Sequence, residues 1–148
     1  EFLKGIKQAE VVELGPMVEI LVNQAHSKER FNRLTAMTWL LEFIVLGGDN
    51  LLKYLADMLR AIMHCISDQE PEIRQVADEA NQALLSLVQN TKQTFELAPL
   101  IQILTNELLS DHVPTRMGAL NWISMLLTKD PQVTNHHHPG DNADCCVG

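Results

Sequence analysis

The chain has few aromatic residues: two Trp, one Tyr and four Phe among 148, or 5%. It cannot build a core on stacked rings, so Leu, Ile, Val and Ala must supply the apolar volume. It is also short of cations, with 11 Lys and Arg against 19 Asp and Glu and a net charge of −8. An acidic chain gains nothing from releasing phosphate counterions, which excludes nucleic acid as the expected partner. The same sign argues against direct adhesion to anionic lipid. Only three Cys are present, two of them adjacent at Cys145 and Cys146. That is no disulfide framework, and an intracellular setting is the expectation. No apolar run approaches the roughly 18 residues of a membrane span, and no secretory signal pattern is present. The sequence opens on Glu1-Phe2-Leu3 rather than Met and reads as part of a longer protein.

Catalytic signatures are missing as well. There is no Gly-x-Ser-x-Gly, P-loop, Gly-x-Gly-x-x-Gly or His-Glu-x-x-His. Carboxylates are plentiful but fall on the polar faces of helical patterns, where nothing pairs an acid with a base. His26, His64 and His112 are spread along the chain with no ligand spacing such as His-x3-His. Cys65, between Ile62 and Ile66, reads as a small buried apolar residue. His136–His138 with Cys145-Cys146 lack the second Cys pair that a zinc site needs. No enzyme, no cofactor and no metal site is expected.

What is present is a repeat. The stretch from Phe31 through Arg33, Ala36, Trp39 and Phe43 returns in looser form twice. Setting Arg33, Arg74 and Arg116 in register aligns Ala36, Ala77 and Ala119 three residues on. It also aligns Trp39, Ala80 and Trp122 six on, and Phe43, Leu84 and Leu126 ten on. The arginines are 41 and 42 residues apart. A period near 40 with two helices per unit marks a HEAT or armadillo-like α-solenoid. The fold class is therefore all-α, with about three helix pairs and a disordered C-terminal tail.

The array is expected over 1–130. Residues 1–13 would be the end of a preceding helix, with Phe2, Leu3 and Ile6 on one face. The pairs would span about 16–47, 49–90 and 96–130. In the first, Met17, Ile20 and Leu21 form a stripe, and Ser27 is a candidate N-cap for a second helix over 28–46. That second helix is apolar nearly all round, which predicts burial on all sides. Gly47-Gly48 ends it, and Asp49 or Asn50 would cap the next helix, carrying Leu52, Leu55, Leu59, Ile62 and Ile66. Pro71 and Pro114 sit where a helix's first turn tolerates them. The helix from Pro71 has an apolar stripe at Ile73, Val76, Ala77, Ala80, Leu84 and Leu87 against a polar face of Glu72, Gln75, Asp78, Glu79 and Gln82. The last helix carries Met117, Leu120, Ile123 and Leu127. Short apolar runs such as Ile44-Val45-Leu46 lie inside these longer helical patterns, so no strand is predicted. Residues 131–148 lack periodicity and are expected to be disordered or an aberrant end.

Two sets of repeat positions admit a structural and a functional reading. Asp68 with Arg74, and Asp111 with Arg116, flank the turn inside a repeat. They are either a ligand-binding ladder or, the simpler reading, helix caps with arginines on turn carbonyls or on a neighbouring repeat's Asp. Trp39 and Trp122 are either partner anchors or core residues, and their place beside the repeat Ala favours the core. A solenoid open at both ends would leave Phe2, Ile6 and Met117 or Leu127 facing water.

Several segments in order resemble one family. They are Phe2-Leu3-Lys4-Gly5-Ile6-Lys7, then Leu34-Thr35-Ala36-Met37-Thr38-Trp39 with Glu42-Phe43 and Leu46-Gly47-Gly48. Ile62-Met63-His64-Cys65-Ile66 and Ala119-Leu120-Asn121-Trp122 complete the series. Together they resemble the middle repeats of the HEAT-repeat scaffold subunit of the phosphatidylinositol 3-phosphate 5-kinase complex. The resemblance implies a non-catalytic scaffold that holds the 5-kinase and its opposing 5-phosphatase together. It implies control of phosphatidylinositol 3,5-bisphosphate, self-association in the full-length protein, and a cytoplasmic location. Attachment to endosomal or vacuolar membranes would be peripheral and indirect. The alternative left open by the residues themselves is a generic HEAT-repeat adaptor for trafficking or phosphatase regulation, because fold alone does not set function.

Overall fold

The computed structural model describes residues 14–129. The Phe2, Leu3 and Ile6 stripe, His136–His138, Cys145-Cys146 and the expected tail lie outside them. Within the described residues the chain is helical, in the order α1 (Leu14–Ala25), α2 (Arg30–Gly47), a 3-10 helix (Gly48–Tyr54), α3 (Leu55–Cys65), α4 (Pro71–Asn90), α5 (Leu97–Glu107) and α6 (Val113–Thr128). The second helices begin at Arg30, Pro71 and Val113. They step by 41 and then 42 residues, so the sequence period is also the structural one.

Helix pairs stack so that α2 lies along α4 and α1 along α3, with α5 continuing the row of first helices. One hydrophobic core runs through all three pairs. Its largest fully buried members include Trp122, Met37, Leu40, Leu59, Leu84 and Leu104. In α4 the stripe predicted from periodicity faces inward at Ile73, Ala77, Ala80 and Leu84, while Glu72, Gln75, Asp78, Glu79 and Gln82 lie on the opposite side. This is the burial that a 3.6-residue period dictates.

Three local expectations need correction. Ser27 does not cap α2: the helix starts three residues later, and its N-cap is Glu29. Gly48 does end α2, at φ 51 with its N–H on the Ile44 carbonyl. The next element, however, is a 3-10 segment rather than an α-helix capped by Asp49 or Asn50. That tighter spiral tucks Leu51 and Leu52 into the core before α3 begins. α2 is not buried all round: Phe31 and Val45 are 75% and 65% exposed. In α6 the buried face is Thr115, Gly118, Ala119, Trp122, Met125 and Leu126, and Met117 and Leu127 face outward, as expected of an open end of the stack, with Leu120 beside them.

The two tryptophans part company. Trp122 is fully buried and donates its indole N–H to Asn81 Oδ1 at 2.7 Å, a bond from α6 back to α4. Trp39 is only half-buried, edge-on to Phe43 with ring centroids 6.0 Å apart. The reason is position in the stack. Trp122 has the preceding pair's α4 to cover it, whereas the equivalent cover for Trp39 would come from chain before Leu14.

Trp122→Ala should therefore cost about 3–5 kcal/mol, the range for truncating a buried aromatic. Trp39→Ala should cost clearly less. Urea unfolding of the two variants checks this, and equal losses would contradict the difference in burial.

Candidate interaction surface

Each turn between a first and a second helix is built alike. Ser27, Asp68 and Ser110 stand six residues before Arg33, Arg74 and Arg116. Each accepts a bond on its side-chain oxygen from the backbone N–H two residues on: Glu29 N–H to Ser27 Oγ at 3.1 Å, Glu70 N–H to Asp68 Oδ1 at 3.0 Å, and His112 N–H to Ser110 Oγ at 3.2 Å. Ser and Asp hold turns this way because a short polar side chain mimics the next peptide carbonyl. Each arginine then reaches back to the same residue's carbonyl. Arg33 Nη1 donates to Ser27 O at 3.2 Å, Arg74 Nη1 to Asp68 O at 2.8 Å, and Arg116 Nη1 to Ser110 O at 2.7 Å. Carbonyls that the first helix and turn leave without a helical partner are thus satisfied by one side chain per repeat.

Asp111 is not in this series; it is exposed and lies one residue beyond Ser110. Nor is Asp68 the N-cap of α4, a position held by Glu70. The equivalence of Ser27, Asp68 and Ser110 escapes a reading of the sequence because Ser and Asp differ in charge, and Asp111 is the residue that matches Asp68 in type. The shared six-residue spacing to arginine is the signal that marks the set.

Asp68 has a second role that the serines cannot fill. Both its oxygens face Arg33 of the preceding repeat, with Arg33 Nε to Oδ2 at 2.7 Å and Nη2 to Oδ1 at 3.1 Å. The two side chains are 8% and 7% exposed. A bidentate, nearly buried pair of this kind is much stronger than a surface one. Burial alone would raise the Asp68 pKa, but hydrogen bonds from Arg33 and from the Glu70 N–H outweigh it and hold the carboxyl below its ordinary range. The Arg33 guanidinium is pushed upward in turn, chiefly by its hydrogen bond to Asp68. Just outside this pair, Arg30 bridges to Glu70 and Glu72 in more exposed contacts. Among the described residues no ion pair joins Arg74 to Asp111, so the interlock is made once, between the first and second pairs. A hydroxyl contact, Ser67 Oγ to Thr115 Oγ1 at 2.7 Å, links the second pair to the third.

The repeat alanines sit between helices. Ala36, Ala77 and Ala119 are all buried, each three residues beyond its arginine, where a larger side chain would hold the stacked helices apart. His26 and His64 stack across the first two pairs with centroids 4.4 Å apart. Burial first, and repulsion from His26 second, lower the His64 pKa, with Asp68 partly opposing. Cys65 is buried and its thiol is pushed up to about 12, mainly by burial and then by Asp68, so it stays protonated. Among the described residues no group of three or more His, Cys, Asp or Glu could hold a metal ion. No described helix is long and apolar enough to cross a membrane.

The arrangement offers several grooves and exposed faces. Between α1 and α2 runs an apolar groove of about 440 Å³, lined by Met17, Ile20, Leu21, Phe31, Trp39 and Phe43 among others. At the opposite end Leu109, Val113, Met117, Leu120 and Leu127 are exposed. Along the turn edge lies a more polar hollow of about 530 Å³ between Arg33, His64, Asp68, His112 and Thr115. The Arg33 and Asp68 side chains there are taken up by turns and by the interlock.

Comparison with known proteins gives a consistent set of relatives. The chain is 47% identical over 129 residues to "Protein VAC14 homolog" of Arabidopsis thaliana, a match covering 87% of this chain and 17% of that protein. It is 24% identical over 127 residues to "Vacuole morphology and inheritance protein 14" of Saccharomyces cerevisiae, covering 82% and 14%. It is 26% identical over 139 residues to "Protein VAC14 homolog" of Schizosaccharomyces pombe, covering 83% and 17%. The chain thus spans about one sixth of the length of these curated relatives. No protein-family profile matches it, and no solved structure matches it.

The pKa directions predict a stability profile. A carboxyl depressed in the fold contributes stability above its unfolded value of about 3.9, which is lost as pH falls through the lower folded value. A histidine depressed in the fold acts in the same direction nearer neutrality: below its ordinary 6.5 the unfolded chain gains a proton that the fold resists, and stability declines. Melting temperature should therefore fall as pH drops below about 6.5, and fall again below about 4. His64→Gln should flatten the upper step and Asp68→Asn the lower one. Profiles parallel to the parent in both variants would contradict these assignments.

Proposed function

We propose, since this chain is a homologue of the VAC14 proteins over most of its length, that it is a non-catalytic scaffold segment serving phosphoinositide metabolism at the vacuole or endosome. The observation that carries this reading is the 47% identity over 129 residues. It is supported by the yeast relative, whose name concerns vacuole morphology and inheritance. In this reading the stacked helix pairs present an extended protein-binding surface, as repeat arrays do. The partners are the phosphatidylinositol 3-phosphate 5-kinase and its opposing 5-phosphatase, and the output is the level of phosphatidylinositol 3,5-bisphosphate. The full-length protein associates with itself and sits in the cytoplasm, peripheral to the membrane through its partners. The three repeats position those partners and take no part in the chemistry. The repeat residues Arg33, Asp68, Arg74, Arg116 and Trp122 act by holding the array in shape.

Affinity capture tests this, with the chain as one bait and a full-length relative as the other, read by mass spectrometry. Recovery of the lipid 5-kinase or 5-phosphatase on both baits is the expected result and places a binding surface on these repeats. Recovery on the longer bait alone would make this stretch a spacer. Recovery on neither would replace the reading with that of a general HEAT-repeat adaptor.

A further inference from the structure

In the groove between α1 and α2 a repeat position equivalent to a core residue is left half-covered. Trp39 occupies the register of fully buried Trp122, and it lines the groove with Met17 and Phe43. In the rest of the array such a face is covered by the second helix of the preceding pair, as α4 covers Trp122.

The 41-residue step that relates α2 to α4 also relates residues 42–47 to residues 1–6. Glu1-Phe2-Leu3 falls on Glu42-Phe43-Ile44. The match agrees with burial as well as identity. Phe43 and Ile44 are each 3% exposed, and Phe2 and Leu3 stand in their places. Val45 is 65% exposed, and Lys4 stands in its place. Ile6 takes the register of Gly47 and of fully buried Val88.

We propose that residues 2–6 of this same chain seat on the groove as the last turns of a further second helix. They would stack on α2 as α2 stacks on α4. Because stacked second helices run side by side in register, the segment reaches only the C-terminal half of α2. Phe2 and Leu3 cover Met17, Trp39 and Phe43. The end of the groove near Ile20 and Phe31 stays open. The charged side chains Glu1 and Lys4 remain in water, as their counterparts Glu42 and Val45 do. This inference does not rest on the proposed function, and its failure would leave that function standing.

The test is made on the full chain by NMR and fluorescence. NOEs are expected from the Phe2 ring to the Met17 methyl and the Trp39 ring, unchanged on dilution. They should be absent between chains in a sample mixing labelled and unlabelled protein. Phe2→Ser combined with Leu3→Ser should red-shift Trp39 emission and open it to acrylamide. Lys4→Ser should do neither, and buried Trp122 stays shielded throughout. The parent chain alone decides the matter if the variant proves unstable. Absence of the intramolecular NOEs overturns the proposal. Their appearance only between chains also overturns it, and assigns the groove to a second copy.

Discussion

A pair of antiparallel helices packed only on each other leaves its flanks in water. In this chain those flanks are rich in Leu, Ile, Met and Val, so each pair depends on the next to bury them. Most of the architecture answers that constraint. Ala36, Ala77 and Ala119 keep the stacked helices close. The 3-10 segment after α2 folds Leu51 and Leu52 into the same core. Where the stack stops among the described residues, at Phe31 on one side and Leu127 on the other, apolar side chains are exposed. These are the flanks that a further pair on either side would cover.

Burial is non-directional and would allow adjacent pairs to slide or rotate. The turns supply the direction. One arginine per repeat ties the second helix to the turn that leads into it, and a Ser or Asp six residues earlier holds the same turn from within. Only in the second repeat is that residue an Asp, and there its charge serves twice, closing its own turn and gripping Arg33 of the repeat before. The Trp122 to Asn81 bond does comparable work at the other boundary, with a neutral pair in a fully buried setting. Directional contacts of this sort fix the stacking angle more than they add free energy, because each must first offset its own desolvation.

The helical class and its period are legible in the sequence because both come from side-chain spacing. Apolar positions three and four apart make helices, and a 41-residue recurrence makes a stack. α4, with one clean face, can be read residue by residue. α2 and α6 cannot, since apolar residues surround both and the inward side depends on which neighbours are present. That is why Phe31 and Val45 face outward, and why Trp39 differs from Trp122 despite identical register. The arginines stand out in the sequence. Their Ser and Asp partners do not form a visible set, because what the three share is a hydrogen-bond acceptor at one position rather than one residue type. Asp111 shows the converse: the right residue type, one position out of place. The partners in the proposed function have no counterpart in spacing or burial at all; that reading rests on sequence relatives.

The central physical claim is that the three pairs form one cooperative stack, each stabilising its neighbour. Native-state amide hydrogen exchange measures this directly, because it reports the free energy of opening element by element. Buried amides of α2, α3 and α4, such as those of Leu40, Leu59 and Leu84, should exchange at one common opening free energy, with α6 lower because the described residues cover only one side of it. Three distinct opening free energies, one for each helix pair, would show independent hairpins and contradict the account.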